Sequence, residues 1–314
     1  MKLLALLQKL FFSTAAPYMT LLSSLLQTIP IKLECLTKLI LFLSRKGVTY
    51  IGFARKGVTH IFSCALESLI SGSPLLVNLH LSYCSGFEHI NVSAPFLQFL
   101  QIESDEVIKS IRLKEAQDLI LIQLFADGPG DNIDRTWVSD LFEDSPNIER
   151  LCLGTSYIKI LSAGIYPQVQ LKAIKYLKLD GVDFNEAREL LFIISLLLGS
   201  SSNLETLIIK CNSMAVELQQ ISKVFDYSNC YFNQLQDVKI TVTTSYKPAL
   251  DLIRFVFARS PTLKILTFRV GHGLNQLDAS VLLSISCDLL QMDRASPRAE
   301  VRFLYDDLQR PNLF

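Results

Sequence analysis

The sequence is poor in the residue patterns that carry chemistry. Among its 314 residues there is one tryptophan, Trp137, and only four histidines, His60, His80, His89 and His272, all far apart. It has no GxSxG elbow, no GxxxxGK[ST] loop and no HExxH helix. The spacings that set a nucleophile beside a base, wrap a phosphate in backbone amides or place two imidazoles on one helix face are therefore missing. The seven cysteines, Cys35, Cys64, Cys84, Cys152, Cys211, Cys230 and Cys287, are odd in number and never spaced as CxxC. They read as buried thiols in a reducing compartment, not as a disulfide framework or a zinc site. An excess of charge is lacking as well. Thirty basic residues balance thirty acidic ones, so no global field draws in nucleic acid or an anionic membrane. No apolar run reaches the roughly 18 residues of a membrane span; residues 190–198 are one short run interrupted by Ser195. An enzyme is not expected, and no catalytic residue, cofactor or metal is assigned.

What is abundant is apolar surface. Half of the residues are hydrophobic and 19% are charged, a composition that folds nearly throughout. One pattern recurs in it: an apolar residue, two variable ones, an apolar residue, one variable, an apolar residue. Copies fall at Leu76, Leu79, Leu81; at Leu97, Leu100, Ile102; at Leu119, Ile122, Leu124; at Ile148, Leu151, Leu153; at Ile174, Leu177, Leu179; at Leu204, Leu207, Ile209; at Leu235, Val238, Ile240; and at Leu263, Leu266, Phe268. Their last residues are separated by 21, 22, 29, 26, 30, 31 and 28 positions. This is close to the roughly 20 to 29 of a leucine-rich repeat. The longer gaps hold apolar residues at helical spacing, at 185–198, 249–259 and 277–291, with Asp183 and Asn185 as capping residues before the first and Pro261 after the second.

Alternate strand residues point to opposite faces, so the three apolar positions enter the core and the residue between the last two faces out. Stacking the units predicts an α/β leucine-rich-repeat solenoid, a curved parallel sheet with helices on its convex side. The outward positions, His80, Gln101, Gln123, Cys152, Lys178, Ile208, Lys239 and Thr267, then line up on the concave face, flanked by Arg150, Asp180, Lys210 and Arg269. Mixed polarity without strong charge points to a protein partner and away from nucleic acid. A doubly wound α/β domain would also alternate strand and helix, but it should carry a glycine-rich loop after a strand, and none is present.

Two loops bear a superficial likeness to ligand sites. The acidic stretch DGPGDNID at 127–134 lacks the ligand spacing and closing glutamate of an EF-hand. It reads as a turn into a helix over 135–143 that Asp134 would cap. Gly271 and Gly273 of GHGLNQ mark a turn. His80 and His89 would need a carboxylate such as Glu88 to hold a metal, and no such site is assigned.

The stretch SGSPLLVNLHLSYCSGFEHINVSAPFLQFLQIE, residues 71–103, strongly resembles the repeat region of plant F-box/FBD/leucine-rich-repeat proteins. SPTLKILTF at 260–268, followed by a helix and RASPRAEVRFLY at 294–305, is similar to the FBD module that closes them. LILFLSRKGV at 39–48 resembles the segment that introduces their repeats. The resemblance implies a solenoid closed by an FBD-like cap and a substrate-recognition role in a ubiquitin ligase. It divides the chain into an irregular apolar segment at 1–63, leucine-rich repeats at 64–226 and FBD-like repeats with the cap at 227–314. An F-box, which docks on a Skp-type adaptor, has no counterpart in residues 1–38. RKGVTYI at 45–51, nearly repeated as RKGVTHI at 55–61, reads as a local duplication where one or two further repeats would be expected.

The resulting expectation is a cytoplasmic or nuclear protein-interaction module with a protein partner and without adaptor docking of its own. The alternative is a secreted or membrane-associated repeat protein targeted by its leucine-rich start, for which the sequon Asn91, Val92, Ser93 would be glycosylated.

Overall fold

The computed structural model describes residues 39–43, 49–53, 59–60, 66–67, 70, 73, 75–85, 88–128, 141–142, 145–163, 171–183, 186–200, 202–212, 231–243, 246–271 and 278–305. The apolar segment at 1–38, most of the helix expected over 135–143 with Asp134, the capping residue Asn185, the turn at 272–277 and the boundary proposed at 226/227 lie outside them.

The elements in chain order are β1 (Leu39–Leu43), β2 (Thr49–Phe53), β3 (Thr59–His60), β4 (Leu76–Ser82), β5 (Cys84–Ser85), β6 (His89–Ser93), β7 (Phe99–Ser104), β8 (Ser110–Lys114), β9 (Leu121–Ala126), β10 (Arg150–Gly154), α1 (Thr155–Ser162), β11 (Tyr176–Val182), α2 (Ala187–Ser200), β12 (Thr206–Cys211), β13 (Asp237–Val242), α3 (Lys247–Arg259), β14 (Ile265–Val270), α4 (Ala279–Gln291) and β15 (Glu300–Tyr305). Eleven strands form one sheet in the order β1-β2-β4-β7-β9-β10-β11-β12-β13-β14-β15. Every pair in it is parallel save β1 with β2.

Each of the eight LxxLxL copies supplies one strand, and the register matches equivalent residues: Leu79 lies beside Leu100, Leu100 beside Ile122, Ile122 beside Leu151, and so on to Leu266. One-residue slips are blocked because they would turn every leucine to the wrong face. The second and third apolar residues of all eight copies are at most 2% exposed, and burying each such side chain contributes about 1.5–3 kcal/mol.

The turn before each strand extends the ladder. Glu149 N–H donates to Ile120, Lys175 to Glu149, Glu205 to Lys175, Gln236 to Glu205 and Lys264 to Gln236, at 2.8 to 2.9 Å. Side chains reinforce it: Asn147 Nδ2 donates to the Gln117 carbonyl at 2.9 Å and Asn203 Nδ2 to that of Lys172 at 2.6 Å. Buried serines close the preceding helices, Ser200 Oγ on the Leu196 carbonyl and Ser260 Oγ on that of Val256, both at 2.7 Å. Each buried hydroxyl is thus satisfied without water.

The far side of the sheet departs from expectation. Among the described residues, no helix follows β4 or β7, whereas helices follow β10, β11, β13 and β14. After β4 and β7 the chain returns through β6 and β8, which pair in parallel as a second small sheet. Ile90, Ile111 and Leu113 fill the core where a helix was expected. The two RKGV copies also part company: β2 joins the large sheet beside β4, whereas β3 pairs with β5 in another. A ninth unit appears as β15. In 296–303 the spacing from Ala299 to Val301 is one residue shorter than from Leu263 to Leu266, so an LxxLxL search passes over it, yet Val301 sits beside Leu266 and Phe303 beside Phe268.

Candidate functional site

Residues that alternate with buried leucines must emerge on the opposite side of the sheet, and parallel pairing fixes which of them are neighbours. His80 lies beside Gln101, Gln101 beside Gln123, Gln123 beside Cys152, Cys152 beside Lys178, Lys178 beside Ile208, Ile208 beside Lys239 and Lys239 beside Thr267. All eight positions read from the repeat therefore form one continuous row across eight strands. Arg302 of β15 extends it by one. Most members are half-buried and Lys239 is exposed.

Cys152 differs from the others, being only 5% exposed. Its flanking strand positions carry the surface in its place. The Phe125 ring lies over Gly154, where an added Cβ would come within 2.7 Å of Phe125 Cδ1, and Lys178 Nζ sits 5.1 Å from the centre of that ring. On the other flank the Arg150 guanidinium lies 4.7 Å above the Tyr176 ring. Such cation–aromatic contacts hold the cations in place while leaving most N–H donors open. Burial pushes the Cys152 thiol up, against the opposing pull of Lys178 and Arg150. It is held as a neutral thiol, not a nucleophile.

The first strands of the row carry a polar network. Ser82 Oγ bonds His80 Nε2 at 2.7 Å and lies 3.4 Å from Glu103 Oε2, and Gln123 Nε2 donates to Glu103 Oε1 at 3.0 Å. From β10 onward cations dominate. Arg150, Lys178, Lys210, Lys239, Arg269 and Arg302 face Asp180, Asp237 and Glu300 on the same side of the sheet. Lys210 pairs with Asp180 at 3.3 Å, and Arg302 with Glu300 at 2.7 Å. Among the described residues Arg150, Lys178 and Lys239 have no carboxylate within ion-pair distance.

Sequence reasoning found the row and four of its flanking charges. It missed Phe125, Tyr176, Glu103 and Arg302. The first three were legible as the outward positions two residues to either side of the row in each copy; Arg302 was hidden by the shortened ninth unit. His80 and His89 are separated, each bonded to a serine, His89 Nδ1 to Ser110 Oγ at 2.7 Å, while Glu88 pairs with Lys109. Among the described residues no three His, Cys, Asp or Glu side chains are grouped to hold a metal ion, and no helix is long and apolar enough to cross a membrane.

The fold and the row together define a protein of repeated strand units, a large parallel sheet with one face filled by leucines and the other half-exposed. Comparison with known proteins adds a relative. The chain is 31% identical over 275 residues to the F-box/FBD/LRR-repeat protein At1g13570 of Arabidopsis thaliana, a similarity in line with the resemblance read from the repeats. The match covers 83% of this chain and 64% of that protein, so the chain spans less than two thirds of its relative's length. No family model matches the chain, and no solved structure does.

Proposed function

We propose that the chain is a protein-recognition module, a leucine-rich-repeat solenoid that holds a protein partner on its open sheet face, here taken as concave. Its last units, β13 to β15 with α3 and α4, form the FBD-like cap. The observation that carries this is the continuous row from His80 to Thr267 on a parallel sheet whose outward side is only half-covered. Parallel sheets in doubly wound domains are covered on both faces and change direction at a switch point. From β4 to β15 this sheet adds strands in chain order, as stacked repeats do. The relative's name supports the reading at the level of family. A place in ubiquitin-ligase substrate recognition, in the cytoplasm or nucleus, and the absence of direct adaptor binding belong to this proposal.

The test is site-specific photocrosslinking in cells, with a benzophenone amino acid placed singly at Gln101, Lys178 or Thr267 and, for comparison, at the exposed Arg254 of α3. The expected result is protein adducts from the first three positions. Adducts confined to Arg254 would overturn it. A pull-down of the full chain with a Skp-type adaptor should yield no direct binding; robust binding would sink that part. Asn91, exposed on β6, makes the secretory alternative checkable, since a glycan there requires passage through the secretory pathway.

A further inference from the structure

The row is not uniform in charge, and the difference identifies what it fits. On β4, β7 and β9 the only formal charge on the open face is Glu103, already engaged by Gln123 and near Ser82. From β10 to β15 cations outnumber carboxylates two to one on that face, in a chain whose total charge is zero. The excess is therefore local.

Its centre is preorganised. Arg150 and Lys178 stand on either side of the covered Cys152, each supported from below by an aromatic ring and neither by a carboxylate among the described residues. Gly154 lets the Phe125 ring lie flat against the backbone. A guanidinium has five N–H donors and an ammonium three, and stacking on a ring consumes none of them. Arriving carboxylates would find the exposed Arg150 and the half-buried Lys178 each held against apolar ring surface, with less side-chain entropy left to lose. Lys239 continues the cationic track two strands further on.

We propose that this half of the face takes an extended, carboxylate-rich segment of a protein partner, anchored between Arg150 and Lys178 and running across the strands toward Lys239. The proposal rests on the reading of the open face as the binding face. Six strands at about 4.8 Å spacing make a track of about 24 Å, the reach of roughly seven extended residues. Nucleic acid fits less well. Asp180, Asp237 and Glu300 are interspersed with the cations, and a phosphodiester chain would bring its evenly spaced charges against them.

The experiment uses the full chain and fluorescence anisotropy with three labelled probes of about the length of that track: a glutamate-alanine peptide, a lysine-alanine peptide and a single-stranded RNA. The acidic peptide should bind, with affinity falling as salt rises. The double variant R150E/K178E should weaken it by about tenfold or more and Lys239→Glu by a few-fold. Arg254→Glu, on α3, should leave it unchanged. Lys239 and Arg254 are exposed, so their variants keep the comparison meaningful even where the double variant folds poorly. Failure of the acidic peptide to bind, equal binding by Lys239→Glu and Arg254→Glu, or tighter binding of RNA would overturn the inference. If photocrosslinks still map to the row while the acidic peptide fails, the location survives and only the partner's chemistry falls.

Discussion

The early units, built on β4 and β7, and the later ones, built on β10 to β14, solve the same problem in different ways. Both place leucines on one face of one sheet. The early units follow one another at 21 and 22 residues, and their chain returns along the far side as the five-residue strands β6 and β8. The later units repeat at 26 to 31 residues, and those built on β10, β11, β13 and β14 return as helices of up to 14 residues. The cause is reach. A strand advances about 3.3 Å per residue and a helix about 1.5 Å, so five extended residues and about eleven helical ones span the same distance. The number of residues between leucine motifs thus decides what covers the core. The junction falls at α1, where the buried Tyr157 hydroxyl accepts the Ile108 N–H at 3.2 Å and Ser156 Oγ reaches the carbonyls of Ala126 and Gly128 at 3.0 and 2.6 Å. One short helix is tied to the last strand-type segment by polar contacts a leucine could not make.

The largest effects are expected where the later units pack most closely. Gly181 has φ +87°, and an added Cβ would stand 1.8 Å from Thr155 Oγ1. Gly181→Ala should cost about 3 kcal/mol or more, from backbone strain and displacement of the start of α1. A urea melt that leaves stability within 1 kcal/mol of the parent would show that the β11 end is not held as described. Next come paired truncations. Ile193 of α2 and Ile90 of β6 are both fully buried. Ile193→Ala, in a helix held on several sides, should cost about 3 kcal/mol, and Ile90→Ala, in a layer that collapses more readily, about 2. Equal losses would break the distinction between the two kinds of unit.

How much of this was legible in the sequence follows from the same contrast. The LxxLxL motif fixed strand identity and neighbour order, because its period of two is imposed by the pleat and any slip would expose leucines. Strand-type returns were readable too, from the 21- and 22-residue spacings, but a rule that places helices on the far side hid them. Arg302 escaped because one residue is missing between Ala299 and Val301. For Cys152 the repeat pointed to an outward position and the cysteine usage to a buried thiol; both hold, because its burial arises from large neighbours on adjacent strands and not from its own repeat. The pairing of Lys178 with Phe125 and of Arg150 with Tyr176 is likewise a cross-strand property. No window of sequence contains both members of either pair at helical or strand spacing.

The junction offers a smaller effect. Tyr157→Phe keeps the ring and removes the acceptor of the Ile108 N–H, leaving a buried donor unpaired. The loss should be about 2 kcal/mol, and hydrogen exchange at Ile108 should rise more than at Leu207, which is remote from the junction. Uniform acceleration would mean that the two kinds of unit unfold as one.

The smallest effect concerns Glu189 at the start of α2, which has no counterpart in the strand-type units. Its side chain is buried; Oε2 accepts the Asp183 N–H at 2.8 Å, and Oε1 has no hydrogen-bond partner. Burial pushes its pKa up from 4.5 to about 7, with Asp183 and Glu186 adding to the rise and the Asp183 N–H and Lys159 opposing it. A carboxyl whose folded pKa lies above its unfolded value binds its proton more tightly in the fold. Its contribution is complete below about pH 4.5 and is lost as pH rises through about 7. Glu189→Gln retains an acceptor for Asp183 but cannot ionise. Its stability relative to the parent should therefore improve by about 1–2 kcal/mol between pH 5 and pH 8. Urea melts of both proteins at the two pH values measure this directly. A difference that stays constant across the interval would mean that Glu189 is charged throughout and that the helix-type units carry no buried titration the strand-type units lack.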